Sequence, residues 1–273
     1  KMFFASEPHN WIGSLTMNYQ AGPTADVRVR KAIDLAADRK AWNDTIYFGR
    51  AIPGLMFRGP SFLWLEGMEY GGVTLKTPDD IWKLPGWNAA TKEQDRQKAR
   101  ELLAQAGYTA SNPLKIKAMI ETTPHPLSEY FAADLKKVGI ELSLTMVGNV
   151  HEQLAATHKY EVTAQTYLIN TGDPDEVLGG YFMTGGARPW TDYKNPKFDE
   201  LFAQQSVEPD FGKRRAIVQQ MARILLEESA MIFGPITGDE YAWWPYFKGF
   251  NPPQVTRDAN YRRDNIWDGR KAK

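Results

Sequence analysis

The clearest periodic segment near the start of the chain runs from Asp26 to about Phe48. There Val27, Ala32, Ile33, Ala36, Ala37 and Ile46 fall on one face at helical spacing, with Asp26 placed to cap the first turn. Arg28, Arg30, Lys31, Arg39 and Lys40 occupy the remaining face, interleaved with Asp34, Asp38 and Asp44, the pattern of a solvated surface. From Gly49 to Trp87 no period persists. Gly, Pro and aromatic residues dominate, among them Pro53, Phe57, Phe62, Trp64, Trp82 and Trp87, which predicts a long ordered loop or insertion.

Regularity returns at Thr91. A charged helix from Lys92 to Ala106 stops at Gly107, and a strand follows over Leu114 to Ile120. Next come a helix from about Pro126 to Val138 and a strand from Ile140 to Met146, so that strand, helix and strand form a βαβ unit with parallel strands and a right-handed crossover. A short helix near His151 to His158 leads to a strand over Tyr160 to Leu168. After the loop that begins at Asn170 the pattern predicts a helix through Tyr181, then helices over Asn195 to Gln205 and Phe211 to Glu228. The last carries an apolar stripe of Ile217, Met221, Ile224 and Leu225. A strand near Met231 to Ile236 precedes the aromatic stretch Tyr241 to Phe250 and a weakly periodic tail. The fold class this predicts is α/β, with βαβ units and helices on both faces of a mixed sheet.

Composition narrows the functional classes. The 273 residues hold 33 basic and 33 acidic side chains, so bulk charge predicts no nucleic-acid partner. Cysteine is absent, which removes disulfides, thiolate metal sites and cysteine nucleophiles. No apolar run approaches the roughly 20 residues of a membrane span. The nine tryptophans, twelve tyrosines and thirteen phenylalanines exceed what a core of this size requires, which places some rings on a ligand surface and others in the packing.

Four motifs, taken in order, resemble family 5 of the bacterial solute-binding proteins, the dipeptide-, oligopeptide- and nickel-binding group. They are Asp26 to Ile33 with Asp38 and Arg39 after it, ARELLAQAG over Ala99 to Gly107, LKKVGIEL over Leu135 to Leu142, and GDPDEVL from Gly172 followed by NPKFDEL from Asn195. The resemblance implies a periplasmic-binding-protein-like lobe (type II, cluster C-like) and, since proteins similar to these are longer, a fragment lacking the N-terminal lobe and secretion signal. It divides the chain into a connecting segment over 1–20, a ligand-binding lobe over 21–236 and a return segment over 237–273. It implies an extracytoplasmic or periplasmic protein, monomeric when intact, that captures a peptide-like, oligosaccharide or other polar solute between two lobes and delivers it to an ABC permease. It brings no cofactor and no catalysis. Similar lobes also occur at the C-termini of some transcription factors, so a ligand-sensing module of a regulator is the alternative; an upstream helix-turn-helix would favour it.

Open α/β sheets bind ligands beyond the carboxyl ends of their strands, which directs attention to the loop Asn170 to Asp175. In similar peptide binders a carboxylate ahead of the DPD turn pairs with the ligand's α-amine. Asn170 stands in that place here, and an amide supplies no charge-assisted bond to an ammonium. Asp173 could substitute, or could serve as a helix cap. Thr171 shares the loop. Arg188 and Trp190 sit in the turn before NPKFDEL, Arg188 as a clamp for an anionic group or as a surface arginine, Trp190 as a stacking wall or as core. Tyr167 alternates along its strand, and Phe57 and Arg58 lie in the long loop within reach of a ligand. His125, His151 and His158 fit no compact metal set. Asp173 with Asp175, or Glu227 with Glu228, are the carboxylate pairs an enzyme reading would use, but residues two apart across a proline turn do not face each other across a sugar.

Overall fold

The structure, a computed structural model, describes residues 2–57, 59–121, 126–150, 160–168, 172–188, 190–250 and 267–270. Its centre is a five-stranded sheet in the order β5-β4-β6-β1-β7. The strands are β1 (Phe3–Met17), β4 (Leu114–Glu121), β5 (Ile140–Val147), β6 (Val162–Leu168) and β7 (Met231–Trp243). β4 runs parallel to both β5 and β6, as the βαβ pattern predicts, with α4 (Leu127–Lys136) in the crossover between β4 and β5. β1 runs against β6 on one side and β7 on the other.

β1 shows what periodicity does not reveal. Pro8, Gly13 and two register shifts, between Pro8 and Ile12 and between Ile12 and Ser14, interrupt any alternation of apolar and polar positions. Residues 1–20, read from the sequence as a connecting segment, thus contain a strand whose last residues, Ser14 to Met17, are all buried in the middle of the sheet.

The two faces of the sheet carry two cores, and the pleat decides which residue joins which. Leu15, Met17, Val162 and Ile232 face α1 (Val27–Ala36), α2 (Arg39–Ile46), α3 (Lys92–Gln105) and α4. Met231 and Phe233, one position either side of Ile232, face the opposite core. That core is built from the aromatic-rich segment together with α5 (Pro174–Val177), α6 (Pro196–Val207) and α7 (Phe211–Glu227). The 49–87 segment is thus a structural layer. It folds through 3-10 turns at Gly59–Trp64 and Pro78–Lys83 and a small hairpin, β2 (Glu69–Tyr70) and β3 (Val73–Thr74), and it buries Leu55, Met56, Phe57 and Leu65 almost completely.

The single helix predicted over Asp26 to Phe48 is two. Ala37 leaves helical geometry at φ −61°, ψ 118°, and Asp38 opens α2 by accepting from Ala41 N. The break is stabilised from outside the segment: Asp134 in α4 accepts from Asp38 N at 2.9 Å and from Trp42 Nε1 at 2.8 Å, and Arg96 in α3 pairs with Asp38 at 2.9 Å. Its consequence is that Arg39 turns inward, where 1% of its surface is exposed. Its guanidinium pairs with Asp34 and donates to Phe233 O (2.6 Å), Asp34 O (2.9 Å) and Gly86 O (2.9 Å), with its face over Trp87. Lys92 ends beside it, donating to Ala37 O at 2.8 Å and Gly86 O at 2.7 Å. Burial, with Arg39 nearby, pushes the Lys92 ammonium down to about 8. Gly86 has φ +79°, and a Cβ there would sit 3.2 Å from the Arg39 guanidinium, so only glycine fits at this crossing.

Replacing Arg39 with Met removes the counter-charge of the Asp34 carboxylate and the side-chain donor to Phe233 O and Asp34 O, while Gly86 O keeps Lys92. The expected loss of unfolding free energy is about 3–5 kcal/mol, the usual cost of breaking a buried ion pair. Urea denaturation of Arg39→Met beside the parent chain reads it directly, and a loss below about 1 kcal/mol, the scale of a surface pair, would show that the pair is peripheral.

Candidate functional site

The carboxyl ends of β4, β5 and β6 lie at one edge of the sheet, level with Trp11, which pairs with Leu168. Beyond that level β1 and β7 continue as a two-stranded ribbon in which Phe3 pairs with Trp243, their rings 5.8 Å apart. Large apolar side chains meet solvent here: Met146 near the end of β5 is 61% exposed and Phe4 on the ribbon 71% exposed.

The sequence places its candidates around this edge, and the structure separates them. Asn170, Thr171 and Arg58 lie outside the described residues, as do His125, His151 and His158, and the side chain of Tyr167 on β6 is likewise not described. Phe57 is 1% exposed inside the core formed with α5 to α7, so its ring is a packing element and does not reach a ligand.

Asp173 is the N-cap of α5, accepting from Asp175 N at 2.9 Å. Its carboxylate also takes a bidentate pair from Arg214 in α7, both bonds at 2.9 Å. Arg214 donates further to Asp175 and to Gln205, each at 3.0 Å, and its guanidinium lies 5.1 Å from the centre of the Trp64 ring. Trp64 Nε1 in turn donates to Gly172 O at 2.8 Å. The end of the loop after β6 is therefore anchored by an arginine and a tryptophan from two distant parts of the chain. Burial opposes ionisation of Asp173, but the hydrogen bonds from Arg214 and Asp175 N outweigh it and hold the carboxyl below its ordinary range.

Both carboxylates of the GDPD turn are thus engaged by one cation. The other pair an enzyme would have to use fares no better, because Glu228 accepts from Asn195 at 3.0 Å while its backbone carbonyl accepts from Tyr19 and Arg30. Arg214 carries no local signal in the sequence. It stands 41 residues from Asp173, and only the packing of α7 against the 59–64 turn brings it there.

Arg188 and Trp190 are both partly exposed. Arg188 is 37% exposed and is oriented by Tyr181, whose hydroxyl accepts from it at 2.8 Å, with Glu176 at 3.8 Å. Trp190 is half-buried. It meets Tyr181 edge-on at 4.9 Å and packs against the small cluster of Val150 and Tyr160, which Met119 and Val147 near the carboxyl ends of β4 and β5 also cover. Its backbone lies beside Thr191, which accepts from Tyr19 N at 2.9 Å and so ties this turn to the exit of β1.

Against this geometry the comparisons with known proteins are decisive. The profile described as bacterial extracellular solute-binding proteins, family 5 Middle, matches residues 1–188. The chain belongs to this family. Among curated relatives, the periplasmic oligopeptide-binding protein OppA of Escherichia coli is 24% identical over 220 residues, covering 79% of this chain and 38% of that protein. The nickel-binding protein NikA of Staphylococcus aureus is 26% identical over 215 residues, covering 77% and 40%. The solved structure of the E. coli murein tripeptide binding protein MppA superposes with a TM-score of 0.77 at 20% identity, over 97% of this chain and 49% of that one. An ABC transporter-associated periplasmic binding protein, DppA of Helicobacter pylori in complex with the peptide STSA, superposes at 0.75 with 19% identity, over 98% and 49%. The chain spans about two-fifths to one-half of the length of these relatives. Their fold is the one described here, a mixed α/β sheet of the periplasmic binding proteins.

The Arg214 anchor makes a prediction with a definite sign. Because the folded-state pKa of Asp173 is depressed, its stabilising contribution is complete above the ordinary carboxylate value of about 4 and is lost as pH falls through the lower folded value. Arg214→Gln should therefore cost about 1 kcal/mol at neutral pH, the scale of a half-exposed pair, and the difference from the parent should close as pH falls through the depressed folded value. Paired urea titrations across pH 2–7 measure it; a difference independent of pH would assign the loss to packing on Trp64.

Proposed function

We propose that the chain forms one wall of a solute cleft in an extracytoplasmic solute-binding protein. It captures a peptide-like or other polar solute for an ABC importer and performs no chemistry on it. The observation that carries this reading is the state of the carboxyl edge. It offers contact groups, Arg188, Trp190 and Met146, while the carboxylates nearest the loop after β6 are engaged by Arg214. Catalysis by a carboxylate pair needs one acid and one free base facing the substrate. Support comes also from the relatives, named for oligopeptides, murein tripeptide and nickel, the first of them described as periplasmic.

The solute class follows from Asn170. Where similar peptide binders place a carboxylate for the free α-amine, this chain has an amide, so a blocked peptide, an oligosaccharide or another polar metabolite is favoured over an ordinary dipeptide. In this reading Trp190 supplies stacking area and Arg188 a bidentate donor for an anionic group.

Three measurements test it. Calorimetry with unmodified dipeptides and tripeptides, on a chain extended to the length of its relatives, should show no binding at micromolar concentrations; tight binding there removes the Asn170 argument. The 273-residue chain and the extended one should also differ in affinity for any solute found. If a micromolar complex is worth about 8 kcal/mol and two walls share it equally, one wall keeps about 4 kcal/mol, near millimolar. Equal affinities would mean that the site is complete within these 273 residues. Trp190→Ala in the extended chain should weaken binding and also reduce stability, since the ring packs on Tyr181; a loss of stability alone would make it purely a packing residue.

A further inference from the structure

A cavity of about 180 Å³ opens between α1, the β2-β3 hairpin, the 84–87 segment and the end of α7. It is far from the carboxyl edge. Ser229, on its wall, lies just before β7, whose first residue Met231 pairs with Thr16; Thr16 also pairs with Thr163 near the amino-terminal end of β6. The cavity is therefore at the opposite end of the sheet from Leu168 and Trp11, and it is independent of the cleft proposed above.

Its walls are chemically divided. Trp87 and Leu226 supply apolar surface, and Lys31 and Asp34, three residues apart on α1, bring opposite charges to the same opening. Among the described residues Lys31 has no hydrogen-bond or ion-pair partner. Asp34 uses one carboxylate oxygen on Arg39, and its other oxygen has only the Ser229 hydroxyl, at a long 3.3 Å, which leaves lone-pair capacity for a ligand cation. Tyr70 stands in the same negative field. Burial first, then Asp34 and Glu227, push its phenol up to about 12, so it keeps its proton and offers a neutral ring face to a cation. An apolar cavity of about 150 Å³ holds benzene, so this one holds about seven non-hydrogen atoms of a ligand, with the remainder at its opening.

We propose that this cavity is a second small-molecule site, taking a compact zwitterion of the free amino-acid class. The ligand carboxylate pairs with Lys31, its ammonium sits by Asp34 and the Tyr70 ring, and an aliphatic side chain lies on Trp87 and Leu226. Each charged contact by itself is available to a simple amine or a simple carboxylate; only the zwitterion makes both.

The test is an NMR titration of the 273-residue chain with L-leucine, isocaproate and isoamylamine, the last two carrying only one of leucine's charges. Leucine should give saturable shifts at the amides of Trp87 and Ser229, and each single-charge analogue should bind about tenfold more weakly, the worth of one charge-assisted hydrogen bond. Lys31→Gln, at a half-exposed position that the fold does not use, should weaken leucine about tenfold and leave isoamylamine unchanged. Leu226→Trp, which fills the cavity, should abolish saturation; Lys31→Gln decides the matter if that variant does not fold. The proposal is overturned if leucine fails to saturate into the tens of millimolar, if isocaproate or isoamylamine binds as well as leucine, if Lys31→Gln binds leucine as the parent does, or if the shifts centre on Trp190 instead of Trp87.

Discussion

A guanidinium with 1% of its surface exposed costs several kcal/mol in lost hydration, and Arg39 recovers that cost only because three parts of the chain converge on it. Asp34 from α1 supplies the counter-charge, Phe233 O comes from β7, Gly86 O from the aromatic-rich layer, and Trp87 covers the guanidinium face. Lys92 from α3 shares the Gly86 carbonyl. These contacts join the two cores across the sheet, so the helices on one face and the aromatic layer on the other cannot shift independently. The break between α1 and α2 serves the same arrangement. A continuous helix would carry Arg39 past the junction, whereas re-capping at Asp38 directs it inward.

The same logic of distant anchors shapes the carboxyl edge. The loop after β6 emerges where α/β sheets meet their ligands, and its far end is held by Arg214 and Trp64 through Asp173 and Gly172. The acidic GDPD turn, which in the sequence invites a chemical role, is in the fold a cap and an ion pair. Arg188 and Trp190, each oriented by Tyr181, are partly exposed on this side of the fold and are the side chains the proposed cleft would use.

Family membership and the α/β architecture were legible in the order of motifs and in the periodicity of the segments from Lys92 to Glu228, where each helix carries its own cap or stop: Gly107 after α3, Asn195 before α6, Asp210 before α7. These are local effects, set by residues within a turn of one another. β1 was not legible, because its strand character comes from pairing with β6 and β7 and not from its own alternation. Nor was the burial of Phe57, since an aromatic ring in a Gly- and Pro-rich segment reads the same whether it packs or protrudes. The sequence by itself determined the helices, the parallel βαβ unit and the absence of thiol chemistry. Tertiary structure alone decided which charges are spent inside the fold, Arg39 on Asp34 and Arg214 on Asp173, and which, such as Arg188 and Lys31, stay available, because that depends on partners tens to hundreds of residues away that no local pattern encodes.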